Sequence, residues 1–130
     1  MLTWIFIVLG GAAGTGLRYG LAGLGQRLAP GGFPVGTLSV NVLGCLAIGV
    51  LAAWFSVTQA GSDVREEVRL ALLVGVLGGF TTFSSFGLET LRLMQAGQSG
   101  QALLYVGLSN GLGLLAVWVG WRSIVFYCGS

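Results

Sequence analysis

Gly75-Val76-Leu77-Gly78-Gly79-Phe80-Thr81-Thr82-Phe83-Ser84-Ser85-Phe86-Gly87-Leu88-Glu89 sits inside the third of four apolar stretches. Two adjacent glycines followed by two threonines continue a helix poorly. A break is therefore expected near Gly78 to Thr82. Irregular backbone at membrane depth survives only where protein or a cavity satisfies its polar groups. Carbonyls freed there can bind a cation, and the restarting half-helix turns its positive end toward an anion. A simple glycine kink for packing remains the alternative at this point.

Outward from this run, the surroundings are those of a membrane protein. The chain has 130 residues, 55% of them hydrophobic and 8% charged. A soluble domain averages about 25% charged residues, so lipid is the expected solvent. The 24 glycines agree, because small residues let helices approach where lipid offers no hydrophobic drive. The apolar stretches run over about 2–28, 35–57, 68–94 and 102–125, each long enough to cross a bilayer in about 20 residues. The predicted fold class is an all-α membrane protein, residues 1–130 forming one four-helix transmembrane domain. Ala29 to Pro34 reads as a turn, and the polar segment Gln59 to Glu67 as a loop or helix start with Ser62 or Asp63 as N-cap. Ala96 to Gln101 reads as a second turn, and Trp118, Trp121, Arg122 and Tyr127 as interfacial anchors. The first stretch lacks the basic region of a cleavable signal and reads as a membrane helix.

Charge excludes several classes. The net charge is +2, and all six basic residues are scattered arginines, so nothing points to nucleic acid. Histidine is absent, and the two cysteines, Cys45 and Cys128, form no zinc spacing. No nucleophile motif or carboxylate cluster suggests an enzyme. With four crossings, one side of the membrane carries Arg65, Arg69 and Arg122 and the other Arg27 and Arg92. So small an imbalance leaves insertion in both orientations open, with unseen partners or helix hydrophobicity as the alternative source of a single one.

Polar residues recur within the spans at helical spacing. Thr37 and Asn41 share a face of the second span; Ser85 and Glu89, with Ser84 adjacent, share one on the third; Tyr105 and Ser109 share one on the fourth. These groups suit either interhelical hydrogen bonding or an anion path. Phe83 and Phe86 lie three apart, and their electropositive ring edges can touch an anion without trapping it, or can simply pack. Glu89 needs hydrogen bonds, a proton or water nearby, with pairing to Arg92 as the alternative. Neutral donors on three helices, with little buried positive charge, favour a small anion that accepts strong hydrogen bonds.

Four ordered motifs then carry a resemblance: Gly10-Gly11-Ala12-Ala13-Gly14-Thr15-Gly16-Leu17-Arg18-Tyr19, Gly36-Thr37-Leu38-Ser39-Val40-Asn41-Val42-Leu43-Gly44, Gly78 to Phe86, and Tyr105-Val106-Gly107-Leu108-Ser109. With these the chain resembles the Fluc/CrcB fluoride channel family over nearly its full length. Ser85 stands where many relatives carry threonine, Gly16 falls in a stretch the family varies, and the tail 126–130 matches nothing readable.

The resemblance implies a dual-topology antiparallel homodimer in the bacterial cytoplasmic (inner) membrane. Two pores would passively export fluoride from the cytoplasm, lowering its toxicity. It implies a structural Na⁺ at the dimer interface, held by the backbone carbonyls of Gly78 and Thr81. Fluoride pore residues would be Asn41, Phe83, Phe86, Ser84, Ser85, Tyr105, Ser109, Thr37 and Glu89, with Arg18 near an aqueous vestibule. A small multidrug exporter is also a four-helix dual-topology dimer, but it needs a carboxylate in its first span, and this first span has none.

Overall fold

The computed structural model describes residues 1–129, so of the tail only Ser130 lies outside the described residues. Four helical spans are long and apolar enough to cross a membrane. Helix α1 covers Leu2–Leu28 and α2 covers Val35–Val57. A single turn, α3 (Gln59–Ser62), leads to the third span. That span consists of α4 (Glu66–Leu70), a π-helical stretch Ala71–Val76, α5 (Leu77–Phe80) and α6 (Phe83–Gln95). Between α5 and α6, Thr81 (φ −88°, ψ 157°) and Thr82 (φ −151°, ψ 121°) are extended. Helix α7, Ser99–Cys128, is the fourth span.

Some ends differ from those expected. The polar loop is not capped by Ser62 or Asp63. Thr58 accepts from the Gly61 N–H at 2.9 Å and starts α3, because it is the extended residue directly after α2. Glu66 and Glu67 then open α4, where acidic side chains complement the helix N-terminus. Helix α7 starts at Ser99, inside the segment expected to turn. The turn closes within Ala96-Gly97-Gln98 instead. Gly97 takes φ +76°, its N–H bonds the Met94 carbonyl at 3.1 Å, and the Gln98 N–H bonds that of Leu93 at 2.9 Å. This double bond caps the end of α6, and the left-handed φ falls on glycine.

Packing follows the small residues. Helix α2 lies along α7, and α1 lies along the π-helical stretch and α5. Gly14 is the buried residue of α1, and a Cβ there would collide with the carbonyl of Val76. Gly49 of α2 faces Gly120 of α7 in the same manner, a Cβ on Gly49 meeting the carbonyl of Val117. Most large apolar side chains point outward, among them Trp4, Leu9, Leu103, Leu114 and Phe126. An outward face this apolar is ordinary for a protein whose solvent is lipid. The chain is accordingly a multi-pass membrane protein.

Replacing Gly14 by Ala should cost about 1–3 kcal/mol, because the methyl must push two backbones apart. Gly16 has open space around its Cβ position, so Gly16→Ala should be neutral or stabilise by up to about 1 kcal/mol. Thermal unfolding of both variants in detergent, followed by tryptophan fluorescence, compares them directly.

Candidate functional site

Thr81 and Thr82 leave the helical hydrogen-bond ladder, and their backbone groups need partners. Asn41 supplies them for Thr82. Its Nδ2 donates to the Thr82 carbonyl at 3.0 Å, and its Oδ1 accepts from the Thr82 N–H at 2.8 Å. The Thr82 hydroxyl accepts from the Ser85 N–H at 3.1 Å and so caps α6, lying 3.2 Å from the Ser84 hydroxyl. The Thr81 hydroxyl donates to the Leu77 carbonyl at 2.9 Å. Gly44, close to one turn beyond Asn41, is buried, and a Cβ there would collide with the Thr81 methyl. Bare backbone at that point lets α2 approach closely enough for Asn41 to reach.

The break frees carbonyls at the end of α5, those of Gly78 and Thr81 among them. In a continuous helix Thr82 N–H would bond Gly78, and Ser85 N–H would bond Thr81. Both donors are committed elsewhere. Gly78 and Thr81 also border one cavity of about 340 Å³. Uncharged backbone oxygens are the ligand type that suits a hard cation.

The expected pore residues divide between two cavities. The 340 Å³ cavity is bordered by Asn41, Phe83, Phe86 and Ser109, together with Cys45 and Asn110. Phe83 is 82% exposed, and its ring centroid lies 5.5 Å from that of Phe86. The Ser109 hydroxyl oxygen is buried and has no hydrogen-bond partner among the described residues. A second cavity, about 620 Å³, is bordered by Arg18, Arg27, Thr37, Ser85 and Glu89. Thr82 borders both cavities.

Glu89 does not pair with Arg92. One carboxylate oxygen accepts from the Thr37 hydroxyl at 2.8 Å and the other from the Tyr105 hydroxyl at 2.7 Å. The ion pair found among the described residues is Arg65–Glu67, at 3.4 Å on the surface. Tyr105 is fully buried and borders neither cavity. Its ring lies 5.1 Å from Phe86, which borders the first cavity, while its hydroxyl holds Glu89, which borders the second. Ser84 is exposed and also stands outside both linings.

Sequence reasoning passed over Thr82, whose backbone and hydroxyl organise the interruption. Its position three residues before Ser85, at a helix restart, was the available signal. It also passed over Cys45, one turn from Asn41, and Gln26, whose contacts lie between α1 and α2.

Comparison with known proteins places these residues in context. The family described as "CrcB-like protein, Camphor Resistance (CrcB)" matches residues 5–121. The chain is 47% identical over 116 residues to the fluoride-specific ion channel FluC of Nitratidesulfovibrio vulgaris, covering 89% of this chain and 91% of that one. It is 50% identical over 122 residues to a FluC of Thermus thermophilus, covering 94% of each. It is 44% identical over 117 residues to that of Hyphomonas neptunium, covering 90% of this chain and 91% of the relative.

Asn41→Leu strands both backbone groups of Thr82 and should destabilise the fold by about 3 kcal/mol. Asn41→Asp keeps the acceptor for the Thr82 N–H but sets a carboxylate oxygen against the Thr82 carbonyl and buries a charge, so it too should destabilise. Equilibrium unfolding in mixed detergent micelles measures both.

Proposed function

The chain belongs to the CrcB family and is a fluoride-specific ion channel, not an enzyme; on that premise we propose how its residues carry the ion. The observation that bears most weight is the buried Ser109 hydroxyl, unpartnered among the described residues, beside a cavity bordered by Asn41, Phe83 and Phe86. A buried hydroxyl without a partner costs free energy, and a permeating acceptor such as fluoride relieves that cost. One Asn41 amide hydrogen serves Thr82, and the other is available to an anion.

Fluoride sheds part of its hydration shell and meets a series of weak donors: the Asn41 amide, the hydroxyls of Ser109, Ser84 and Ser85, and the ring edges of Phe83 and Phe86, passing Thr37 and Tyr105, whose hydroxyl hydrogens Glu89 holds. None carries a formal charge, so no site holds the ion long enough to stop conduction. Arg18 and Arg27 raise the local anion concentration at the mouth of the larger cavity. Glu89 holds Thr37 and Tyr105 at fixed positions beside the path. Permeation is passive, and its direction follows the gradient out of the cytoplasm across the bacterial inner membrane.

Two copies inserted in opposite orientations complete the assembly and form two pores. In support, Phe83 and Gly78 lie on an uncovered face, and the arginines are nearly balanced across the membrane. The Thr81–Thr82 interruption is the broken centre of the third span in this arrangement. The carbonyls of Gly78 and Thr81, with their counterparts from the second copy, would hold a structural Na⁺, which supplies a fixed positive charge joining the two chains.

Liposomes containing only this protein should release fluoride far faster than chloride, measured by ion-selective electrodes; comparable rates would overturn the reading. Replacing both Phe83 and Phe86 by Ile should lower fluoride efflux at least about tenfold if the ring edges stabilise the passing ion by about 1.4 kcal/mol in sum. The folded dimer should persist in size-exclusion chromatography, and an unchanged rate would reduce the rings to packing.

Exchange of Na⁺ for a large organic cation should shift the purified protein from dimer toward monomer and silence efflux. Indifference of both mass and flux to Na⁺ would count against the carbonyl site.

A further inference from the structure

We propose that Gln26 is a positioning residue for the Thr37–Glu89–Tyr105 hydrogen-bond clamp, which it sets by capping α2 from the neighbouring span; this rests on the reading above that the clamp lies beside the fluoride path.

Helix α2 begins after Pro34 with no side-chain cap of its own. Its first N–H groups need acceptors. Gln26, at the end of α1, supplies one: its Oε1 accepts from the Gly36 N–H at 3.3 Å. The same amide donates through Nε2 to the carbonyls of Gly31 and Phe33, each at 3.2 Å. Both amide hydrogens and the oxygen are thus engaged with the α1–α2 connection. Close approach makes this reach possible. A Cβ on Gly36 would collide with the Ala22 carbonyl, and one on Gly25 would lie 3.2 Å from the Gly36 Cα.

The three bonds fall beside the two donors that hold Glu89. Gly36 precedes Thr37, whose hydroxyl bonds one Glu89 oxygen. The Phe33 ring meets that of Tyr105 edge-on, with centroids 5.6 Å apart, and the Tyr105 hydroxyl bonds the other oxygen. Gln26 and Glu89 are also the two residues shared by the 620 Å³ cavity and a third, of about 380 Å³, bordered by Arg92. They stand in the wall between these two cavities. A single half-buried amide therefore ties the connection to both sides of the clamp. The segment around it is rich in glycine and proline, and among the described residues no other side-chain hydrogen bond holds Gly36 and Phe33 in register.

The test is Gln26→Met, which keeps the length and removes every hydrogen bond, with Gln26→Glu as a second variant that keeps only the acceptor. Fluoride efflux from liposomes and the infrared carboxylate stretch of Glu89 are read together. The chain has only four Asp and Glu residues, so that band is identified by difference against Glu89→Gln. If Gln26 acts through the clamp, Gln26→Met should slow efflux about tenfold and shift the Glu89 band as Thr37→Val does. Joined to Thr37→Val, it should add little further loss, since both act on one network. Should the Met variant fail to fold, Gln26→Glu, which keeps the cap on Gly36 and loses the bonds to Gly31 and Phe33, should show a smaller band shift and a smaller loss of efflux, and wild-type values for both overturn the inference. Wild-type efflux and an unmoved band in a folded Gln26 variant, beside a slow Thr37→Val, overturn the inference and leave the fluoride path standing. Wild-type rates in both Thr37→Val and Tyr105→Phe overturn the clamp's role and the inference with it.

Discussion

One asparagine side chain pairs with both backbone groups of Thr82, and the architecture of the third span turns on that pairing. An N–H and a carbonyl released from a helix inside a membrane have no water to turn to. Asn41 answers both with the planar donor–acceptor pair of its amide, at 3.0 and 2.8 Å. The helix can then stop at Phe80 and restart at Phe83 with both backbone groups of the buried Thr82 paired. Because Thr82 N–H is spent on Asn41 and Ser85 N–H on the Thr82 hydroxyl, the carbonyls of Gly78 and Thr81 are released. The release of these acceptors thus follows from one local exchange of partners.

Glycine makes that pairing geometrically possible. A side chain of asparagine length bridges two helices only if their backbones nearly touch, and Gly44 removes the carbon that would hold them apart. The same device recurs where α1 meets the third span at Gly14, and where α2 meets α7 at Gly49 and Gly120. In water such contacts would add little to burial. In lipid, close van der Waals contact and interhelical hydrogen bonds are the main sources of helix association. A cavity bordered by neutral donors then survives between helices that are otherwise tightly packed.

Much of the fold was legible because membrane spans announce themselves by length and composition. The connection between the first two helices, 2–28 and 35–57, is built of Pro and Gly, which leave little freedom in where a helix can end or begin. The third and fourth were less legible at their ends, since Glu66, Glu67 and Ser99 are polar yet helical. Terminal turns lie in the interfacial region, where water can satisfy a polar side chain. Of the site, the residue types at helical spacing were readable. Their division was not: Asn41, Phe83, Phe86 and Ser109 border one cavity, Thr37, Ser85 and Glu89 another, and Tyr105 neither.

Solvent, number of spans and the polar faces those spans present all follow from the order of residues alone. Those are properties of windows of about 20 residues, and hydropathy and a period of 3.6 reveal them without reference to distant parts. Which polar groups satisfy one another was settled only when the spans packed. Asn41 meets Thr82 across 41 residues, and Thr37 meets Glu89 across 52. Glu89 had Arg92 close by in sequence and took Thr37 and Tyr105 instead. Hydrogen bonds are short and directional, so their partners depend on how neighbouring spans are set against each other, and no local pattern contains that information.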